Sequence, residues 1–237
     1  MVAPKVVVVC LSEDRDKDVE VVKLLVRAII IRVIDPNTQT QHVHFEPYNS
    51  LYRPSVIANA WESTSPRDQQ RITELNRYLA TLLKMGGSFR VIVHHLDADC
   101  PWDVKSTCPR LILWRKVVWQ AVANLAGVGH AARLVPLVPH PEIEGWLYLN
   151  RTVLEREAAR EGREAPTPPD GGWDGIPDVK GVKDRYPWPR DSHNISLAQS
   201  FPAVRAKEQS PSLAAAIAML SEIPGFPEAL AETWAIS

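Results

Sequence analysis

The chain is sparing with the residues that usually announce a function. Its 237 residues include three cysteines, Cys10, Cys100 and Cys108, which form no C-x-x-C pair and no even set. That argues against a disulfide framework and suits a reducing compartment. No Gly-rich phosphate loop occurs, so ATP hydrolysis by this chain alone is not expected. No apolar run approaches the length of a membrane span. The opening residues carry too short an apolar stretch for a signal peptide and lack a cleavage site, so the expectation is a soluble, cytoplasmic protein with no membrane partner. A formal net charge of −1 gives no global attraction to polyanions, and any contact with nucleic acid has to come from a local patch. Internal repeats and low-complexity tracts are missing as well.

What remains is the composition of a globular chain with a real core, 45% hydrophobic and 23% charged. Residues 5–12 read as a strand buried on both faces, and Val19, Val22, Leu25 and Val26 then recur at helical spacing. A second strand is expected near residues 28–34 or near residues 42–47, with Asp35-Pro36-Asn37 as the turn between. Ser65, Pro66 and Asp68 form a helix opening with a capping box, ahead of a stripe of Ile72, Leu75, Leu79, Leu82 and Leu83 that Gly86-Gly87 stops. The apolar run from Phe89 to Leu96 is the central strand. Pro109 opens a helix bearing Leu111, Trp114, Val118, Ala121 and Leu125, and residues 132–138 form another strand. Beyond Arg151 a charged helix, a long Pro- and Trp-rich loop over 166–189 and two helices opening near Ser200 and Ser210 complete the chain. Alternating strands and helices predict an α/β fold: a mostly parallel sheet flanked by helices over residues 1–150, with a helical, loop-rich extension over 151–237 packed on it.

Carboxylates follow three of the apolar runs: Glu13, the pair Asp97 and Asp99, and the pair Glu142 and Glu144. Parallel strands would bring all of them to one edge, where ligands of open α/β sheets bind. Asp97 and Asp99, at alternate positions, would point to one side. Clustered carboxylates repel unless a cation neutralises them, and all-oxygen ligands favour Mg²⁺ or Mn²⁺. Glu13, Asp97, Asp99 and Glu144 are the candidate ligands. Such a site can activate water against a phosphodiester. His94 and His95 alternate faces and read first as sheet histidines; His42 and His44 lack a third ligand for zinc. Cys100, beside the acids, reads as an unreactive buried thiol.

Taken together, Glu13 with Asp16, the strand end Leu96-Asp97-Ala98-Asp99 and the run Glu142-Ile143-Glu144-Gly145-Trp146-Leu147 resemble a Toprim domain. More narrowly they resemble the Toprim-like family of unknown function found with OLD-type ATPases in bacterial anti-phage islands. The segment from Phe201 through Ser210-Pro211-Ser212 is similar to that family's closing stretch, although Asp14 stands where the first motif usually has glycine. The resemblance implies strand cleavage at a magnesium site, with Glu13 as ligand or general base, Asp97 and Asp99 as ligands, and one of Glu142 and Glu144 as an outer ligand. It also implies a downstream lysine, for which Lys183 is the first candidate and Lys180 the second. The implied partners are nucleic acid, DNA before RNA, and a separate OLD- or ABC-type ATPase subunit, with a homodimer open to it. Two other readings stand beside this one: a degenerate Toprim module that binds a partner or senses a phage component, and a nucleotide-sugar glycosyltransferase using Asp-x-Asp.

Overall fold

Every residue of the first strand is buried, and its alternate residues serve two different cores. In the computed structural model, which describes residues 5–12, 16–47, 61–103, 108–176 and 181–234, β1 (Val6–Ser12) sends Val6, Val8 and Cys10 into one core and Val7, Val9 and Leu11 into the other. A strand covered on both faces has no polar side to show, which explains its unbroken apolar sequence. Helix α1 (Asp16–Ile29) follows and runs on into a wider π turn, Ile30–Ile34. The first of the two alternatives for the second strand, residues 28–34, is therefore helical. Leu25, Val26, Ile29 and Ile30 are all buried, so the β-branched residues extend an existing apolar stripe instead of beginning a strand.

The second alternative holds: β2 is Val43–Pro47. Helix α2 (Pro66–Lys84) lies where its stripe places it, although the Ser65 side chain makes no capping hydrogen bond. Asp68 accepts one from the Ser63 hydroxyl at 2.7 Å instead. β3 spans Phe89–His95. The next helix is continuous in direction but widened at its middle, as α3 (Pro109–Trp114), a π turn (Arg115–Trp119) and α4 (Gln120–Ala126), and it stops at Gly127 with φ of 89°. A short α5 (Val128–Ala131) leads into β4 (Leu134–Leu137).

Among the described residues these strands form one sheet in the order β2-β1-β3-β4, with every neighbouring pair parallel. Strand order reverses between β1 and β3. At such a point the connections leave toward opposite faces and open a crevice at the carboxyl ends of the strands. Ser12 pairs with His95 in that register, so the two strands end level at the crevice.

The remaining chain covers the face of the sheet that carries α1. It comprises α6 (Ile143–Leu147), α7 (Arg151–Arg160), a 3-10 turn (Trp173–Gly175), α8 (Gly181–Arg185), α9 (Asp191–Gln199), α10 (Ala203–Gln209), α11 (Pro211–Ser221) and α12 (Phe226–Trp234). The stretch read as a long loop is tied down by its tryptophans. Trp173 and Trp188 are buried, and the indole N–H of Trp188 reaches Glu161 at 2.6 Å. Helix α9 has no apolar stripe that could announce it. It lies against α1 and buries Asn194, Leu197 and Ala198. No single helix among the described residues is long and apolar enough to cross a membrane. The bent pair α11 and α12, at 77°, comes nearest in composition, and its Leu213, Ile217, Leu220, Phe226 and Leu230 lie in the core.

Candidate functional site at the carboxyl edge of the sheet

β3 and β4 keep company beyond their last paired residues. Leu96 N–H donates to Leu137 O at 2.9 Å, Ala98 N–H to Pro139 O at 3.1 Å and Asp99 N–H to Pro141 O at 3.0 Å. The two exits therefore run side by side, and the aspartates of one meet the glutamates of the other. Asp97 Oδ1 accepts the Ile143 N–H, from the first turn of α6, at 2.9 Å.

The same oxygen takes a second bond, from His95 Nε2 at 3.1 Å, and the other ring nitrogen of His95, Nδ1, lies 3.0 Å from Ser12 Oγ. A carboxylate can only accept, so Nε2 carries the ring proton, and in the neutral imidazole Nδ1 accepts from the Ser12 hydroxyl. The result is a Ser12–His95–Asp97 chain of hydrogen bonds that ties the end of β1 to the end of β3. Hydrolases use the same three residue types for nucleophilic attack. Here Ser12 is wholly buried and His95 is 1% exposed, so no substrate reaches the hydroxyl, and the chain acts by orienting Asp97. His95 was read first as a sheet histidine. Its place two residues before Asp97, on the same face of the strand, was the signal that it reaches the acid. Ser12 carried no signal without the register. His94 faces the other way. Its Nδ1 accepts from Trp114 Nε1 at 3.0 Å, and burial holds its pKa down at about 3, as suits a core histidine.

Asp99 lies beyond the end of β3. Its φ of 52° is left-handed, which breaks the strand alternation on which the expectation of one shared side rested, and its carboxylate forms an ion pair with Arg110. Arg110 also donates to the Asp97 carbonyl oxygen at 3.3 Å, bracing the turn. Cys100, expected to be buried, is only partly so; burial still pushes its thiol up to about 11, which leaves it unreactive.

Glu142 precedes α6 in extended conformation, and its carboxylate accepts the Lys183 N–H at 3.1 Å. Burial raises its pKa, the Lys183 N–H works the other way, and the charges of Asp97, Asp99 and Asp184 raise it further. Glu144 lies in the first turn of α6 and is 7% exposed. Burial, then the charge of Asp97, pushes its pKa up to about 7 despite a hydrogen bond from Asn194 Nδ2 at 3.0 Å. Lys183 reaches the same region from α8. Burial disfavours its ammonium, but the 2.5 Å contact with Asp191 and the charge of Glu144 outweigh that and raise its pKa.

Asp97, Glu142, Glu144 and Lys183 thus share one edge. Glu13 and Lys180 lie outside the described residues. Among those described, no group of three or more His, Cys, Asp or Glu side chains converges closely enough to hold a metal ion. The donors nevertheless suit a hard cation. They are carboxylate oxygens, and one of them, Glu144, is buried beside the negative charge of Asp97.

No protein-family model, curated protein or solved structure matches this chain, so its likeness to Toprim proteins rests on the order and spacing of its motifs.

Proposed function

We propose that the chain is a Toprim-like, metal-dependent nuclease subunit that works with a separate ATPase in anti-phage defence. The carrying observation is the gathering of Asp97, Glu142 and Glu144 at the carboxyl edge of a parallel sheet, where burial first and the charge of Asp97 second push the pKa of Glu144 up to about 7. A carboxylate under that strain is stabilised by a cation, and functional sites are where such perturbation concentrates. Bound there, Mg²⁺ or Mn²⁺ would activate water and offset charge on a phosphodiester.

The chain's own residues have distinct parts in this reading. Asp97 is held by His95 and by the Ile143 N–H, so it meets the cation already oriented. Glu144 supplies a second oxygen ligand once ionised, with Glu13 and Asp99 as the remaining candidates. Glu142 stands by as proton acceptor, and Lys183 brings positive charge to the phosphate side of the site. The defence setting and the ATPase partner come from the family resemblance.

A degenerate, partner-binding module is favoured by a different pair of observations: Asp99 is engaged by Arg110, and Lys183 by Asp191. One experiment separates the two. Purified chain is incubated with plasmid DNA or single-stranded RNA and Mg²⁺ or Mn²⁺, alongside an Asp97→Ala variant. Cleavage by the wild type that the variant lacks supports the nuclease. Equal cleavage by both sinks the site assignment, metal binding with no cleavage points to the missing ATPase partner, and neither binding nor cleavage favours the degenerate module.

A further inference from the structure

A second cleft, of about 700 Å³, lies away from the acid edge, between the segment 148–156 and the residues around Pro168, Trp173 and Pro202. That volume is in the range of small-molecule sites. Its charged lining is of one sign. Arg151, Arg156 and Arg205 face it, and no aspartate or glutamate is among the residues that line it.

The three guanidiniums differ in how far they are engaged. Arg205, on α10, is exposed and has no ion-pair partner among the described residues. Arg151 pairs with Glu155 at 2.7 Å and donates to the Pro166 carbonyl oxygen at 2.5 Å, and Arg156 pairs with Glu157 at 3.0 Å. Ion pairs with such exposed arginines contribute little, below about 1 kcal/mol. A phosphate offers more negative charge and can accept two parallel N–H bonds from a guanidinium, so it can displace them. The floor is rigid and aromatic. Tyr148 and Trp173 meet edge to face, with ring centroids 5.3 Å apart, and the Tyr148 hydroxyl is anchored on the Pro189 carbonyl oxygen at 3.3 Å. Both rings are buried, so they fix the shape of the floor behind the cations.

The geometry points to a binding site for a nucleotide-sized organic phosphate in this cleft, held through Arg205, Arg156 and Arg151. The site is separate from the carboxylates and does not depend on the nuclease reading. Its phosphate can belong to a free nucleotide or to the 5′ end of a nucleic-acid strand.

Calorimetric titration of the full chain at low salt, with EDTA present to silence any metal at the acid edge, tests this. The probes are ADP, inorganic pyrophosphate, adenosine and a 5′-phosphorylated dinucleotide. ADP and pyrophosphate are expected to bind the wild type and adenosine is not. Arg205→Glu should weaken binding by about tenfold or more, Arg205→Lys should restore part of it, and Glu144→Gln should leave it unchanged. Arg205 is exposed, so an unaltered melting temperature certifies the fold of its variants. Dinucleotide binding at least as tight as that of ADP identifies a strand end, and tighter ADP binding identifies a free nucleotide. The proposal is overturned if neither ADP nor pyrophosphate binds, if adenosine binds as well as ADP, or if Arg205→Glu binds like the wild type.

Discussion

Asp174 and Glu144 are buried to nearly the same depth, 4% and 7% exposed, yet they are treated in opposite ways. Both oxygens of Asp174 accept from the Ser210 hydroxyl at 2.9 Å, and one also accepts the Ser212 N–H at 2.8 Å. Glu144 has the Asn194 amide and a backbone N–H, and it faces the charges of Asp97 and Glu142. A buried carboxylate surrounded by donors is a structural clasp, whereas one set beside like charge is held for something that arrives. The two are linked: Trp146, two residues after Glu144, donates its indole N–H at 2.7 Å to Ser212, which belongs to the Asp174 clasp. The Glu-Ile-Glu-Gly-Trp and Ser-Pro-Ser motifs therefore occur together for a physical reason, since one buttresses the other.

The sharpest way to break this comparison is through Asp97, the charge that Glu144 faces. Asp97→Ala should lower metal-stimulated cleavage by about a thousandfold, the loss of several kcal/mol of charge stabilisation, while the fold survives. Gel-based cleavage rates and a melting curve check both halves. Asp174→Ala should do the reverse and act on folding. Stranding the donors of Ser210 and Ser212 in the interior should cost about 3 kcal/mol, read from urea unfolding and independent of metal.

Glu144 should give the opposite sign. Its folded pKa, about 7, is raised above the ordinary 4.5, so between those values the native state holds a proton that the unfolded chain releases. The stability this confers is present at low pH and is lost as pH rises through about 7, up to roughly 3 kcal/mol. Without metal the protein should thus unfold more easily at mildly alkaline than at mildly acidic pH. Glu144→Gln should flatten that slope, and Mn²⁺ should offset it in the wild type only; urea midpoints across pH measure both. A smaller effect is expected at His95, which touches the acid without being one. His95→Ala frees Asp97 from one donor and should weaken Mn²⁺ binding by about tenfold, and Ser12→Ala, one bond further back, should do less.

How far the sequence spoke differs between these same regions. The buried strands were legible as short unbroken apolar runs, and the amphipathic helix α2 because its apolar side chains repeat with the helical period. The acids of β3 and β4 were legible because an apolar run ended at each. Periodicity failed at residues 28–34, where β-branched side chains were ambiguous and continuity with α1 decided, and at α9, whose stripe is absent. It failed again at Asp99, where one left-handed residue undid the alternation. What sequence order hides altogether are pairings made across the fold. Ser12 meets His95 only through the β1–β3 register, and Glu144 meets Asn194 only once the C-terminal helices close over the sheet face.

Calorimetric titration of Mn²⁺ into the wild type and Asp97→Asn at neutral pH bears most directly on the claim that the acid edge is built for a cation. Asparagine still accepts hydrogen bonds through its amide oxygen, so the fold is kept while the charge is removed. The account predicts a binding isotherm for the wild type, with proton release as Glu144 ionises, and its loss in the variant. Equal isotherms, or no binding by the wild type, would contradict it.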